Sequence, residues 1–317
     1  MMNMKEKFRE QALVLANENI ASGIFDLRLK AATIVKHAAP GQFVSVYSND
    51  RSRLLPRPIS ICGADSETGE LRLVFRVAGR GTEEFSKLKP GETVDLTGPL
   101  GSGFPLERAF PEDSLKEAGG KEAGRKEAGG TETDGMESGA GKTVFLIGGG
   151  IGIPPMVQLA KSLQEKSNEI AGREDAGHMT RAGAAGQNAA PHIYCILGFR
   201  DELFLTDDLK PYGDLVIATE DGSHGTKGNV LDAIRENGLK ADVIYACGPT
   251  PMLRALKKYA EETGTECWLS LEEKMACGIG ACLSCVCRST AVDGHSNVKN
   301  KRVCTEGPVF LSTDVDI

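Results

Sequence analysis

The sequence predicts a multidomain chain in three parts: an antiparallel β-barrel, a doubly wound α/β domain and a small cysteine-rich domain at the C-terminus. Three observations lead there. Short apolar runs punctuated by turn residues fill residues 5–105, and strand-and-helix alternation sets in from Lys142. The stretch "CGIGACLSCVC", Cys277 to Cys287, then packs four of the chain's nine cysteines into eleven residues. At 317 residues the chain is long enough to bury more than one core.

The first part, residues 5–105, carries the runs "IFDLRLK", "GQFVSVY", "ELRLVFRV" and "ETVDLTG", separated by Gly, Pro, Asn and Asp. Several short strands at this spacing build a barrel or a sandwich. The second part, 106–265, holds compact apolar runs of the kind buried parallel strands show: "KTVFLI", "HIYCILGF", "DLVIATE" and "DVIYAC". Between them, "PPMVQLAKSLQEK" aligns Met156, Leu159 and Leu163 on one helical face after two prolines. Likewise "PMLRALKKYAEETG" aligns Met252, Leu256 and Tyr259 and stops at Gly264. The third part, 266–317, opens with "CWLSLE" as a last strand leading into the cysteines. Two stretches fit neither pattern, a Gly/Glu/Lys-rich segment near 113–141 with a five-residue repeat and a Gly/Ala-rich one near 168–191. Their low apolar content reads as flexible surface insertions without chemistry.

Charge and composition narrow the function. A net charge of −7 argues against a nucleic-acid partner. The N-terminus lacks the apolar core and cleavage site of a signal peptide, and no apolar run suits a membrane span. The expectation is a soluble, cytoplasmic protein with no membrane association. In that compartment thiols stay reduced, so clustered cysteines read as metal ligands rather than disulfides, and an odd total fits disulfides poorly. Cys277, Cys282 and Cys285 have C-x4-C-x2-C spacing, the plant-type pattern for a [2Fe–2S] cluster. A fourth ligand is required. Cys287 competes for that place, but Cys304, after eighteen residues intervening from Cys285, better fits a site with three ligands on one loop and one from a distant segment. Zinc is the main alternative, although it favours paired short spacings. Cys62, Cys195 and Cys267 read as small core residues.

Two glycine-bearing turns in the second part suit a dinucleotide. "KTVFLIGGGIGIPP" runs from strand to helix through Gly148, Gly149, Gly150 and Gly152, which suits close approach of a pyrophosphate to a helix N-terminus. "CGPTPM", with Cys247, Gly248 and Pro249, again follows a strand and opens a helix. In a parallel sheet both turns lie at the same carboxyl edge, facing one crevice. In the first part, "LLPRPISIC" offers the Arg57 fork to a phosphate and the Ser60 hydroxyl beside it, and "FRVAGRGTEEF" adds Gly81 and Thr82 for a second phosphate.

Together the Arg-Pro-x-Ser stretch, the Gly-Thr pair, "GPLGSGF", "GGGIGIPP" and "CGPTPM" resemble the ferredoxin reductase family. The resemblance implies an FAD-binding barrel followed by a nicotinamide-binding α/β domain. It implies that Arg57, Pro58, Ile59, Ser60, Val74, Phe75, Arg76, Gly81 and Thr82 line FAD. The glycines from Gly148 to Gly152 and Cys247 to Pro249 would face the nicotinamide nucleotide. Beside "GFRDE", Arg200 suits a 2′-phosphate whereas Asp201 and Glu202 repel one, which leans to NAD.

"LEEKMACGIGACLSCVC", "VCTEGPVF" and "ATEDGSHGTKGNV" narrow the likeness to the electron-transfer subunits of NAD-dependent, class 1B dihydroorotate dehydrogenases. That resemblance implies a role in pyrimidine biosynthesis. Electrons would pass from an FMN-containing catalytic subunit through the [2Fe–2S] cluster to FAD and on to NAD⁺. It further implies a heterotetramer with two copies of each subunit and a docking face within 275–306. No general acid or base is expected. The alternative is a subunit of an NADPH:ferredoxin oxidoreductase or sulfide dehydrogenase type flavoprotein. A regulator with structural zinc is the rival outside the enzymes.

Overall fold

Six strands close the N-terminal part into an antiparallel barrel: β1 (Phe8–Ala21), β2 (Ile24–Lys30), β3 (Phe43–Val46), β4 (Arg57–Asp65), β5 (Glu70–Arg76) and β6 (Thr93–Leu100). The order around the barrel is β1-β2-β5-β4-β3-β6, and β6 returns to pair with β1. The chain is represented by a computed structural model that describes residues 6–50, 52–112, 114, 141–176, 190–292 and 297–317. Leu27, Leu29, Val44, Val46, Ile61, Leu71, Leu73 and Leu96 fill the interior. Side chains alternate across a strand, so Phe43 and Ser45 leave β3 on the outer face, where other parts of the chain cover them. Two short helices, α1 (Ala32–Val35) and α2 (Arg80–Phe85), plug the barrel with Ile34 and Phe85.

A seven-stranded sheet forms the second layer. Its members are β7 (Thr143–Gly149), β8 (His192–Phe199), β9 (Asp214–Thr219), β10 (Thr226–Lys227), β11 (Val243–Cys247), β12 (Glu266–Ser270) and, near the C-terminus, β15 (Val309–Leu311). The order is β10-β9-β8-β7-β11-β12-β15, parallel except for the β12–β15 pair. Helices α3 (Pro154–Ala176), α4 (Thr206–Leu209), α5 (Val230–Glu236) and α6 (Thr250–Thr263) connect the strands. Gly264 ends α6 in the left-handed conformation with φ +69°, as the sequence suggested. Helix α3 runs to Ala176, so the stretch read as an insertion from 168 begins as helix, and Ile170 packs into the core. The rest of that stretch, and nearly all of 113–141, lies outside the described residues.

A three-stranded sheet, β14-β13-β16, forms the C-terminal lobe from β13 (Val286–Ser289), β14 (Asn300–Arg302) and β16 (Val315–Asp316). Because β15 belongs to the large sheet, the chain is threaded from this lobe into its neighbour and back.

The three parts share cores. Ala21, Ile24, Cys62 and Val74 of the barrel pack with Met156, Leu159 and Leu163 of α3 in one apolar cluster. A second cluster joins Phe43 and Leu100 of the barrel, Phe145 and Ile147 of β7, and Cys285, Cys287 and Cys304 of the last lobe. Polar ties reinforce the joint. Arg72 of β5 bonds Asp26 of β2 at 2.9 Å and also Asp208 of α4, with Asp26 only 4 % exposed. The Tyr245 hydroxyl donates to the Pro105 carbonyl at 2.7 Å. Lys142 Nζ donates to the Arg108 carbonyl at 3.0 Å, which brings the two flanks of residues 113–141 together.

Candidate functional site

The outer face of the barrel, the glycine turn after β7 and the chain leaving β12 meet at a cavity of about 290 Å³. Pro58, Ile59 and Ser60 of β4 and Val74, Phe75 and Arg76 of β5 supply its barrel wall. Ile151, Glu272 and Met275 supply the opposite one. Arg57 and Gly81 lie outside this cavity but against each other: a Cβ on Gly81 would sit 2.7 Å from Arg57 Nε. Glycine is therefore what lets the guanidinium lie over the first turn of α2, where the Gly81 and Thr82 amides have no partner within the helix. The Thr82 hydroxyl is not offered outward. It accepts the Ala78 and Gly79 N–H groups at 2.9 and 3.2 Å and donates to the Gly79 carbonyl at 3.0 Å, shaping the turn.

The two glycine turns meet as expected, at the point where strand order reverses between β7 and β11, with Gly148 paired to Cys247. The glycines, however, mostly serve packing of one turn on the other. A Cβ on Gly148 would lie 2.8 Å from Ile153 Cγ1, on Gly149 2.6 Å from Met252 Sδ, and on Gly152 2.2 Å from the Cys247 carbonyl oxygen. Gly150 differs, with φ +51° and only Arg76 Nη2 nearby at 3.9 Å. The Cys247 side chain is buried, and burial pushes its thiol up to about 12. A second cavity of about 420 Å³ opens here, lined by Gly149, Gly150, Gly248 and Pro249 along with Glu220 and Asn229. Arg76, Ile151 and Glu272 line both cavities, so the two spaces adjoin. Arg200, Asp201 and Glu202 line a third space beside Arg76, where the Glu202 carboxylate accepts the Ser22 amide of the barrel at 2.8 Å.

The cysteine lobe abuts the far side of the first cavity, Met275 being two residues ahead of Cys277. Strands β13 and β14 pair antiparallel with Val286 opposite Arg302, and the Val303 amide donates to the Cys285 carbonyl at 3.0 Å. A hairpin thus brings Cys304 back to Cys285, whose thiol lies within hydrogen-bond reach of its own. The Cys282 amide donates to Cys277 Sγ at 3.3 Å. Burial pushes Cys277 up, but the amides of Ile279, Cys282 and Ala281 outweigh it and bring the thiol down to about 6. Cys304 goes the other way, to about 12, from burial and the neighbouring Cys285 thiol, against the Gly280 amide. Cys287 stands apart: burial raises it to about 11, and its charged neighbours are Glu273, Glu306 and Lys301 rather than another cysteine. Among the described residues no three His, Cys, Asp or Glu side chains converge as a closed metal site; the four thiols lie as two pairs on one small lobe. Soft thiols under inward-pointing backbone amides fit an iron–sulfur cluster, whose sulfurs accept such bonds.

Sequence reasoning did not single out Phe43, Ile151, Glu272 or Met275 as cavity residues. Glu272 is the notable one. Solvent reaches it through the cavities, yet protein surrounds it and burial raises its pKa. Its place at the end of "CWLSLE", two residues beyond the strand that pairs with β11, is the signal that points to it.

Comparison with known proteins agrees with this geometry. Residues 13–104 match the oxidoreductase FAD-binding domain, and residues 272–316 match the iron–sulfur cluster binding domain of dihydroorotate dehydrogenase B. The chain is 37 % identical over 310 residues to the dihydroorotate dehydrogenase B (NAD(+)) electron transfer subunit of Geobacillus sp. (strain WCH70), covering 97 % of this chain and 98 % of that one. It is 36 % identical to the subunit of the same name from Bacillus cereus (strain B4264), covering 95 % and 96 %. Among solved structures, a chain of an NADH-dependent reduced ferredoxin–NADP oxidoreductase superposes with a TM-score of 0.69 at 25 % identity, covering 96 % of this chain and 89 % of that one. The ferredoxin reductase in carbazole 1,9a-dioxygenase superposes at 0.55 with 17 % identity, covering 82 % and 67 %, a likeness of fold. With the barrel, the paired glycine turns and the cysteine hairpin all in place, the chain belongs to the family of dihydroorotate dehydrogenase B electron transfer subunits.

Proposed function

We propose that this chain carries electrons from a dihydroorotate-oxidising catalytic subunit to NAD⁺ through an iron–sulfur cluster and FAD. The observation that carries this reading is the run of adjoining spaces: the cysteine lobe abuts a cavity walled by Pro58–Ser60 and Val74–Arg76, which adjoins one walled by both glycine turns. Bound FAD supplies exchange between the two-electron hydride of nicotinamide and the single electrons of an iron–sulfur cluster.

The chain's own residues bind and orient. Arg57 and the first-turn amides of α2 offer positive charge to the FAD phosphates, while Pro58, Ile59, Ser60, Val74, Phe75 and Arg76 bound the ring cavity. Gly150, Gly248 and Pro249 bound the nicotinamide space, with Gly148, Gly149, Gly152 and Cys247 holding the two turns together. Cys277, Cys282, Cys285 and Cys304 hold the cluster, of [2Fe–2S] type by the spacing of the first three. The apolar surround of Cys285 and Cys304 keeps water from the inner half of that lobe. We divide the chain at 5–105, 106–265 and 266–317, with β12 and β15 of the last part completing the seven-stranded sheet of the second. The segment 275–306, with exposed Ile279 and Leu283 beside the cysteines, is the face offered to the catalytic subunit, in an assembly of two copies of each. No helix among the described residues is long and apolar enough to cross a membrane; the cytoplasmic site of action is part of the proposal.

The ferredoxin-linked reading rests on the 25 % identical solved structure, whereas the dihydroorotate reading rests on 36–37 % identity over nearly the whole chain. The test is reduction of NAD⁺ by dihydroorotate with this chain co-purified anaerobically with its FMN-containing partner. Cys304→Ala is expected to abolish the cluster's visible and EPR signals together with this activity, and Cys287→Ala to keep both. The reverse pattern would move the fourth ligand to Cys287. A complex active with ferredoxin and NADPH but not dihydroorotate would establish the alternative.

A further inference from the structure

Four side-chain polar atoms among the described residues are buried without a hydrogen-bond partner, and the only two hydroxyls, Ser45 Oγ and Thr305 Oγ1, both lie against the cysteine loop. The other two, Asn17 Oδ1 and Gln158 Oε1, are amide oxygens elsewhere in the fold. Ser45 is 1 % exposed, and its Oγ would lie 2.8 Å from a Cβ on Gly278, the residue after Cys277. It comes from the barrel: β3 presents it outward beside Pro58, a wall of the flavin cavity. Thr305 follows Cys304, and its side chain covers Gly280 so closely that a Cβ there would sit 2.6 Å from Thr305 Cγ2. Both glycines have positive φ, +67° and +88°, so the loop is bent toward these two side chains where only glycine fits without strain.

A buried hydroxyl without a partner forfeits its hydration with nothing in return, and native proteins hold few. Backbone amides of the loop are directed at Cys277 and Cys304, the Cys282 amide at 3.3 Å from Cys277 Sγ, so sulfur is the acceptor on the inner side of this loop, while the Ile279 and Gly280 carbonyls already accept from Lys7 and Arg302. Hydrogen bonds to the sulfurs of an iron–sulfur cluster favour the reduced, more negative state and are among the protein's means of setting its potential.

We propose that the Ser45 and Thr305 hydroxyls donate hydrogen bonds to sulfur of the cluster held by this loop and thereby keep its reduction potential high. One is delivered by the flavin barrel and the other by the hairpin that returns Cys304. Docking of the barrel on the cysteine lobe is therefore part of what sets the driving force for electron flow to the flavin. The proposal rests on the iron–sulfur reading above.

The experiment is an EPR-monitored redox titration of the intact holo-complex carrying Ser45→Ala, Thr305→Val, both, or the hydroxyl-retaining Thr305→Ser. Each removal is expected to lower the midpoint, making reduction harder by about tenfold in equilibrium constant, or about 59 mV for a one-electron carrier. The double variant should fall further, and Thr305→Ser should stay at the wild-type value. Pulsed ENDOR on the wild-type complex in H₂O and D₂O needs no variant and should show exchangeable protons coupled to the reduced cluster; the side-chain contribution should disappear with each hydroxyl. Cluster-loaded variants with unmoved midpoints and unchanged couplings would overturn the proposal and leave the iron–sulfur reading intact. A shift in one variant alone keeps that hydroxyl and overturns the other. A wild-type complex with no iron–sulfur signal would overturn both readings.

Discussion

A Cβ on Gly152 would lie 2.2 Å from the Cys247 carbonyl oxygen, whereas one on Gly150 would find only Arg76 Nη2 at 3.9 Å. The two glycines look alike in "GGGIGIPP", yet they do different things. Gly152→Ala must push the two turns apart at the nucleotide crevice, so NADH-dependent flavin reduction is expected to fall about a hundredfold with flavin still bound. Gly150→Ala meets no atom but keeps a left-handed backbone, at a cost of about 1–2 kcal/mol. It should lower the melting temperature slightly and leave more of the rate. Stopped-flow reduction and a thermal melt of both variants separate the cases; equal rates would remove the distinction. The sequence marked every one of these positions. It could not say which glycine meets protein and which meets open space, because that depends on where the turn after β11 lies.

Among elements, the joint between β2, β5 and α4 carries charge into the interior. Arg72 serves Asp26 and Asp208 together, so truncating it leaves Asp26 buried with no hydrogen-bonded cation and only the half-exposed Arg28 at 3.9 Å. Arg72→Ala is expected to cost about 3–5 kcal/mol, and pairing Arg72→Met with Asp26→Leu to recover much of that. Urea unfolding of the single and paired variants measures it; equal losses would show that the unpaired charge is not the cause. Nothing in "LRLVFR" announces this network, since its partners lie in two other elements. Element legibility varied for equally local reasons. The long runs of β7, β8 and β11 read directly as buried strands. Strand β1 did not, because in "ALVL" only Ala12 and Val14 face the core while Leu13 and Leu15 are 41 % and 38 % exposed. Helix α5 was also overlooked, though its start is written in "NVLD". Asn229 accepts the Leu231 amide at 2.9 Å, and Asp232 accepts the Asn229 amide at 2.9 Å, a reciprocal cap. The cysteine spacing gave the loop, but only the hairpin explains why eighteen intervening residues leave Cys304 beside Cys285.

For the molecule as a whole, four buried thiols make stability sensitive to alkali. Burial pushes Cys62, Cys195, Cys247 and Cys267 from the ordinary value of 9.0 up to about 12. Their neutral forms are favoured in the fold, so this contribution is intact below pH 9 and is lost as pH rises toward 12. The slope is about 1.4 kcal/mol per pH unit for each thiol within that window. Melting temperature is therefore expected to decline steeply above pH 9, and Cys195→Ala to make the decline shallower whatever it does to stability at neutral pH. A parallel decline in the variant would rule that thiol out. One further consequence belongs to the tie between Lys142 and the Arg108 carbonyl. The chain comes back to the place it left, so the length of the stretch that starts beyond the buried Ala109 and Phe110 has little leverage on the layers beneath. Each doubling of such a stretch costs only about 0.6 kcal/mol in closure entropy. That makes the junction a natural port: a reporter, an affinity handle or a whole guest domain with adjacent termini can be spliced in there with the three cofactor-bearing layers left in register.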